Sequence, residues 1–171
     1  MEDSSARSKR AKRSQIDATD RRILSALLND GRLTNSDLAT RVGLSPSPCW
    51  NRVKRLESEG IIERYVAVVD NGALGLRDVV FVEITLDKHE EEVLERFGQA
   101  LTRIPEVLEA NLVTGEYDYL VKVAVADTAD YERFLRQHLY KIGNIRQTRS
   151  TFSLRTLKRA ESVDPVRLGE R

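Results

Sequence analysis

Cysteine and histidine are nearly missing from this chain of 171 residues, which has one of the first, Cys49, and two of the second, His89 and His138. A single cysteine excludes an intrachain disulfide and any multi-cysteine metal centre. No apolar run approaches the roughly 18 residues that would suggest a membrane span. The N-terminus lacks the apolar stretch of a signal peptide and turns basic after Met-Glu-Asp-Ser-Ser. There is no Gly-rich phosphate loop, no metal-ligand cluster and no nucleophile elbow, so no catalytic motif announces itself. These absences point to a cytoplasmic protein with no membrane partner. The hydrophobic 40% suffices for ordinary globular cores, and the charged 32% suits a soluble surface.

A net charge of +1 hides an asymmetry. Residues 1–66 carry 13 Lys/Arg against 9 Asp/Glu, and residues 67–171 carry 15 against 18. The front part alone therefore favours a polyanionic partner. Residues 1–15 read as a disordered arm, and Arg7, Lys9, Arg10, Lys12 and Arg13 give it the charge to follow phosphates.

Three short helices are expected next. The first starts near Thr19 and carries Ile23, Leu24, Leu27 and Leu28 up to Gly31. The second is opened by Thr34 with Asp37 three residues on, a variant of the capping box, and closes at Gly43. The third has Ser45 as N-cap and Pro46 at its first position, and stops at Gly60. Together they outline a helix-turn-helix. Residues 61–69 read as a wing strand, which completes a winged domain over residues 16–69, and residues 70–77 read as a linker.

The remainder alternates as strand (79–86), helix (90–104), strand (107–114), strand (118–125), helix (128–142) and strand (145–157). Gly115-Glu116-Tyr117 makes the hairpin turn. The order βαββαβ is ferredoxin-like, so the whole is an α+β protein whose second domain spans residues 78–158, followed by a tail, 159–171. Phe81, Leu120 and Ala124 fall on the opposite strand parity from Val82, Val121 and Val123. That second apolar parity suggests a subunit interface.

On a 3.6-residue wheel the third helix turns Cys49, Val53 and Leu56 inward, where the thiol acts as a small hydrophobe. Ser47, Trp50, Asn51 and Lys54 lie opposite, with Arg55 beside them. Such a face is either merely solvated or made for a major groove, and the large aromatic among polar groups favours the groove. Asn51 suits an adenine edge, Trp50 a thymine methyl, and Ser47 and Lys54 a base or a phosphate. Arg52, nearer the core boundary, can snorkel out to a phosphate.

The run DGRLTNSDLATRVGLSPSPCWNRVKRLESEGIIERYVAVV, with VTGEYDYLVKV and RSTFSLRTLK in the second half, strongly resembles the Lrp/AsnC ("feast/famine") regulators. The resemblance covers roughly residues 16–158. It implies an amino-acid-responsive transcriptional regulator of bacteria or archaea that binds double-stranded DNA through its winged helix, with Ser45, Ser47, Trp50, Asn51, Arg52, Lys54 and Arg55 at the interface. It further implies dimers that build tetramers or octamers, no cofactor, and an amino-acid effector held between dimers. The positions it points to are Leu112, Thr114, Gly115, Glu116, Tyr117 and Asp118, with Ser150, Thr151 and Phe152 from the last strand. Chemistry supports that site in outline: Asp118 or Glu116 offers a carboxylate to an ammonium, and Tyr117 offers an apolar wall with a polar tip. Gly115 either opens the backbone to a carboxylate or simply makes the turn.

Siroheme decarboxylases resemble the same family, but they need basic side chains around a propionate-rich tetrapyrrole. Here the two histidines sit at helical positions more typical of surface residues. A free-standing amino-acid sensor, the other alternative, has no need of residues 16–66. A DNA-binding regulator, not an enzyme, uses both halves.

Overall fold

The computed structural model describes residues 15–168, so the expected basic arm lies, except for Gln15, outside the described residues, as does the end of the C-terminal tail. The described residues form two compact units. One runs to Val68 and takes in the residues from Arg159 onward; the other is Val69–Lys158.

In the first unit, α1 (Ala18–Asn29) begins at a capping box. The Asp17 carboxylate accepts from the Asp20 amide at 2.7 Å, and Asp20 Oδ2 accepts from the Asp17 amide at 3.1 Å, so two orphan donors of the helix end are satisfied together. Helix α2 (Asn35–Val42) is capped by Thr34, whose hydroxyl oxygen accepts from the Asp37 amide. It ends at Gly43, where φ is 71° and a side chain would be strained. Helix α3 (Pro46–Ser58) has Pro46 at its start. Ser45 has N-cap backbone geometry, but its hydroxyl makes no cap hydrogen bond. The three helices close over Ile23, Leu38, Ala39, Val42, Cys49 and Leu56, all nearly or wholly inaccessible. Burial pushes the Cys49 thiol pKa up, which keeps it an unreactive core group.

The wing departs from the sequence reading. Residues 63–70 carry no regular secondary structure, so residues 61–69 form no ladder among the described residues. The β-branched composition is there, but no neighbouring strand in this unit offers an edge to pair with. Tyr65, Val66 and Val68 are exposed as a result.

The second unit is a four-stranded antiparallel sheet in the order β2-β3-β1-β4, formed by β1 (Asp78–Leu86), β2 (Val107–Leu112), β3 (Tyr119–Val125) and β4 (Ile145–Phe152). This is the βαββαβ order expected from the sequence. Helix α4 (Glu91–Leu101) follows β1. Helix α5 (Thr128–Phe134) follows β3 and continues through a π-helical turn over Leu135–Leu139 into α6 (Tyr140–Ile142). The single expected helix is thus re-phased. The wider turn keeps Leu139, five residues after Phe134, pointing inward, and both are buried.

Alternation decides the two sheet faces. Val80, Val82, Ile84, Val121 and Val123 pack against Phe97, Leu101, Tyr131 and Phe134 from the helices. Phe81, Glu83 and Thr85 alternate with the first three. Their register partners are Lys122, Leu120, Thr151, Arg149 and Gln147, so these side chains share the other face. On that face Phe81 is exposed, while Ala124 is buried despite the same parity.

Candidate functional site

Helix α3 sorts as its wheel demands. Ser45, Ser47, Trp50, Asn51 and Lys54 are all exposed, and Trp50 is 53% accessible, an unusual exposure for an indole. Lys54 Nζ pairs with Glu57 at 2.9 Å and stands 6.0 Å from the Trp50 ring centroid. Exposed pairs of this kind are weak. Asn35 on α2 donates from Nδ2 to the Pro46 carbonyl at 2.8 Å, which fastens the start of α2 to the start of α3. Beside Trp50 lies a hollow of about 260 Å³, floored by Leu27, Leu38 and Val53 and bordered by Tyr65, whose hydroxyl donates to Glu57 at 3.1 Å.

The two arginines of α3 are placed differently. Arg52 reaches back to Asp17 at 2.6 Å and Asp20 at 2.9 Å, and Arg55 reaches Asp20 at 2.5 Å. Glu59 stands 3.9 Å from Arg55. Asp20 is wholly buried, and both arginines are about one-third exposed. They are thus turned toward α1, apart from the face that carries Trp50 and Asn51. Nothing local signals this partner, because Asp20 occupies a helix-opening position where an acidic residue is expected for capping alone. The capping box holds Asp17 well below the usual carboxylate range, at about 2, through the Asp20 amide first and the Arg52 guanidinium second.

In the second unit the hairpin residues separate. Thr114, Gly115 and Glu116 are exposed at the tip, and Gly115 has φ 133°, which an L side chain rarely adopts. Asp118 points back into the fold. Its Oδ2 accepts from the Leu86 amide at 2.7 Å and its Oδ1 lies 3.1 Å from His89 Nε2, while its own amide donates to the Ile84 carbonyl. Its two oxygens are therefore committed to tying the hairpin to the end of β1. Ser150 and Phe152 share the helix-side face and meet Tyr131, the first through a hydroxyl–hydroxyl hydrogen bond and the second edge-on at 5.4 Å. Thr151 points to the other face, and Leu112, opposite Tyr119, is exposed at the edge.

Of the nine hairpin and last-strand candidates, Glu116 and Tyr117 line a common cavity. It measures about 120 Å³ and is shared with Glu83, Thr85, Gln147 and Arg149. Reading the sequence missed these four. The signal was the alternation itself, since Glu83 and Thr85 follow Phe81 at the period of two, and Arg149 faces Glu83 in register.

A helix-turn-helix with an exposed aromatic and amide face, joined to an antiparallel sheet with helices on one side, defines a DNA-binding transcriptional regulator of two domains. Residues 79–163 match the Lrp/AsnC ligand binding domain, and residues 16–63 match a winged helix-turn-helix DNA-binding domain. The leucine-responsive regulatory proteins of Escherichia coli K12 and Klebsiella pneumoniae are each 39% identical over 156 residues, covering 91% of this chain and 95% of theirs. Among solved structures, a regulator of Neisseria meningitidis in complex with L-methionine is similar, with a TM-score of 0.82 at 34% identity over 87% of this chain and 96% of that one. So is a feast or famine regulatory protein of Mycobacterium tuberculosis complexed with L-methionine, with a TM-score of 0.78 at 35% identity over 88% of this chain and 100% of that one. The chain belongs to the Lrp/AsnC family of transcriptional regulators.

Proposed function

We propose that this regulator reads operator DNA with Ser45, Ser47, Trp50, Asn51 and Lys54, and that a small amino acid bound near the hairpin of residues 112–118 adjusts its DNA affinity or assembly. The observation that carries the DNA face is the division of α3. Its exposed hydrogen-bonding and aromatic side chains look outward, with Lys54 in a weak surface pair to Glu57, while Arg52 and Arg55 are held against Asp20. Arg52 and Arg55 then act mainly as buttresses, with any phosphate contact made by the guanidinium edges left accessible. L-methionine in two similar structures supports an amino-acid effector, and the cavity beside Glu116 and Tyr117 supplies both signs of charge for its ammonium and carboxylate.

The protein works in the cytoplasm as a homodimer, paired through the sheet face carrying Phe81, and these dimers build tetramers or octamers. Two-fold recognition predicts half-sites separated by about 10–10.5 base pairs or a multiple of that. The decisive experiment is a thermal-shift screen of the twenty amino acids, followed by operator titrations with those that stabilise the protein, since a native-state ligand raises apparent stability. If none stabilises and none alters DNA affinity, the effector reading is wrong.

A further inference from the structure

The end of the chain does not stay with the sheet it leaves. After β4 the chain passes through exposed residues 154–163 and meets the first unit at two half-buried residues, Asp164 and Pro165. The Ser25 hydroxyl donates to Asp164 Oδ2 at 3.1 Å, and Arg21 Nη1 donates to the Pro165 carbonyl at 3.2 Å. Arg21 and Ser25 are one helical turn apart on α1, so one stripe of that helix receives the segment. Asp164 also organises the turn it sits in. Its Oδ1 accepts from the Val166 amide at 3.0 Å, its carbonyl accepts from the Leu168 amide at 3.1 Å, and Arg167 Nε stands 3.6 Å from its Oδ2. The same helix α1 holds the recognition helix from another face, through Asp20.

We propose that residues 159–168 are a strap that links β4 to α1, and through α1 to the recognition helix, so that ligand-dependent changes in β4 reach the DNA-contacting face by a second route besides the 70–77 linker. The identity of the signal rests on the effector reading above; the strap itself does not. Arg149, which lines the cavity with Glu116, lies on β4, ten residues before the strap begins. The contact has the strength such a device needs. Two hydrogen bonds to a helix surface are breakable, yet a tether of about ten residues keeps the local concentration of the segment in the millimolar range, so it redocks. Because coupling between sites is reciprocal, DNA bound to α3 must in turn restrain β4.

That reciprocity supplies a test that needs no effector. Hydrogen exchange is followed by mass spectrometry on the full chain, with and without a duplex the protein has selected from a random pool. In the parent, DNA slows exchange across β4 about fivefold or more, in keeping with ordinary coupling between sites. In Asp164→Ala and Ser25→Ala that slowing is smaller than in the parent, the remainder being what the 70–77 linker carries, while DNA affinity changes less than about fivefold. The strap is refuted if β4 is slowed equally in all three chains, or in none. Operator titration with L-methionine separates the two readings. A parent indifferent to it and to every other amino acid, with the DNA-to-β4 linkage intact, removes the effector and leaves the strap. Equal responses in the parent and Asp164→Ala remove the strap and leave the effector.

Discussion

Asp20 accepts hydrogen bonds from Arg55 at 2.5 Å and from Arg52 at 2.9 Å, and it does so with no exposed surface of its own. The first helix thereby holds two cations of the recognition helix that would otherwise seek phosphate. Asp17 on one side and Glu59 on the other add to the opposing charge. Asp20→Asn keeps the shape and one acceptor but weakens the hold. Its expected effect on folding is a loss of about 2–3 kcal/mol, since hydrogen bonds to charged groups are worth about 1.5–3 and the arginines remain partly solvated. Its expected effect on DNA is less obvious. Freed arginines tighten binding to arbitrary sequence and steepen the salt dependence, while discrimination falls because α3 is less firmly oriented. Salt-dependent titrations on specific and arbitrary duplexes check this, and an unchanged salt slope would sink it.

The outward face of α3 is tested by two truncations with different signatures. Asn51→Ala removes an amide suited to an adenine edge and costs about 1–3 kcal/mol on the operator alone. Lys54→Ala weakens all sequences alike and reduces the salt slope by about one unit if its ammonium leaves Glu57 for a phosphate. Both positions are exposed, so melting temperatures should stay near the parent value. Parental operator affinity in both variants would place the contact face elsewhere.

The helices of the first unit were legible because each carries its own punctuation: Thr34 with Asp37, Gly43 in a left-handed turn, and Pro46 after Ser45. The element order βαββαβ followed from alternating strands and two amphipathic helices. Contacts between residues remote in sequence were not legible. Nothing local links Asp20 to residues 32 and 35 positions further on, and nothing at Asp164 signals Ser25. The hairpin hid a remote contact too. Asp118 looks like a free carboxylate beside a glycine turn, and only the sheet register shows that it serves the Leu86 amide. The wing strand, within a winged domain that the sequence did disclose, differed for another reason. Strand propensity states what a segment can do, while a ladder also requires an edge, and residues 61–69 find none among the described residues.

Acid should expose the capping box. Asp17 titrates at about 2 in the folded protein against 3.8 ordinarily, so its pKa is depressed on folding. A depressed carboxylate contributes stability above its unfolded pKa and loses it as pH falls through the folded one. The window is therefore pH 4 to 2. Asp17 is half-exposed, so screening holds the contribution to about 1 kcal/mol or less. Thermal melts between pH 5 and 2 should show a smaller acid-induced drop for Asp17→Asn than for the parent. Parallel curves would mean that the cap contributes nothing through its charge.

The hairpin calls for a pair of variants whose effects differ in kind. Gly115 sits at φ 133°, and a Cβ built there meets nothing within 4 Å, so Gly115→Val strains the backbone without a clash inside the chain. Its expected cost is about 1–3 kcal/mol of stability, as for other side chains forced into sparsely populated conformations. Any loss of amino-acid response then mixes strain with blockage of the site. Glu116→Gln avoids that ambiguity, because Glu116 is exposed, has nearly the same shape as its replacement, and lines the cavity with Arg149. It should fold like the parent and lose only what its charge does for a ligand ammonium. Asp118→Asn is the contrasting control. Its oxygens serve Leu86 and His89, so it should weaken the hairpin before it weakens binding. Calorimetric titration with the amino acid that stabilises the parent, beside melts of all three variants, separates the cases. Parental affinity in Glu116→Gln together with lost affinity in a stable Asp118→Asn would reverse the assignment and make Asp118 the ammonium partner.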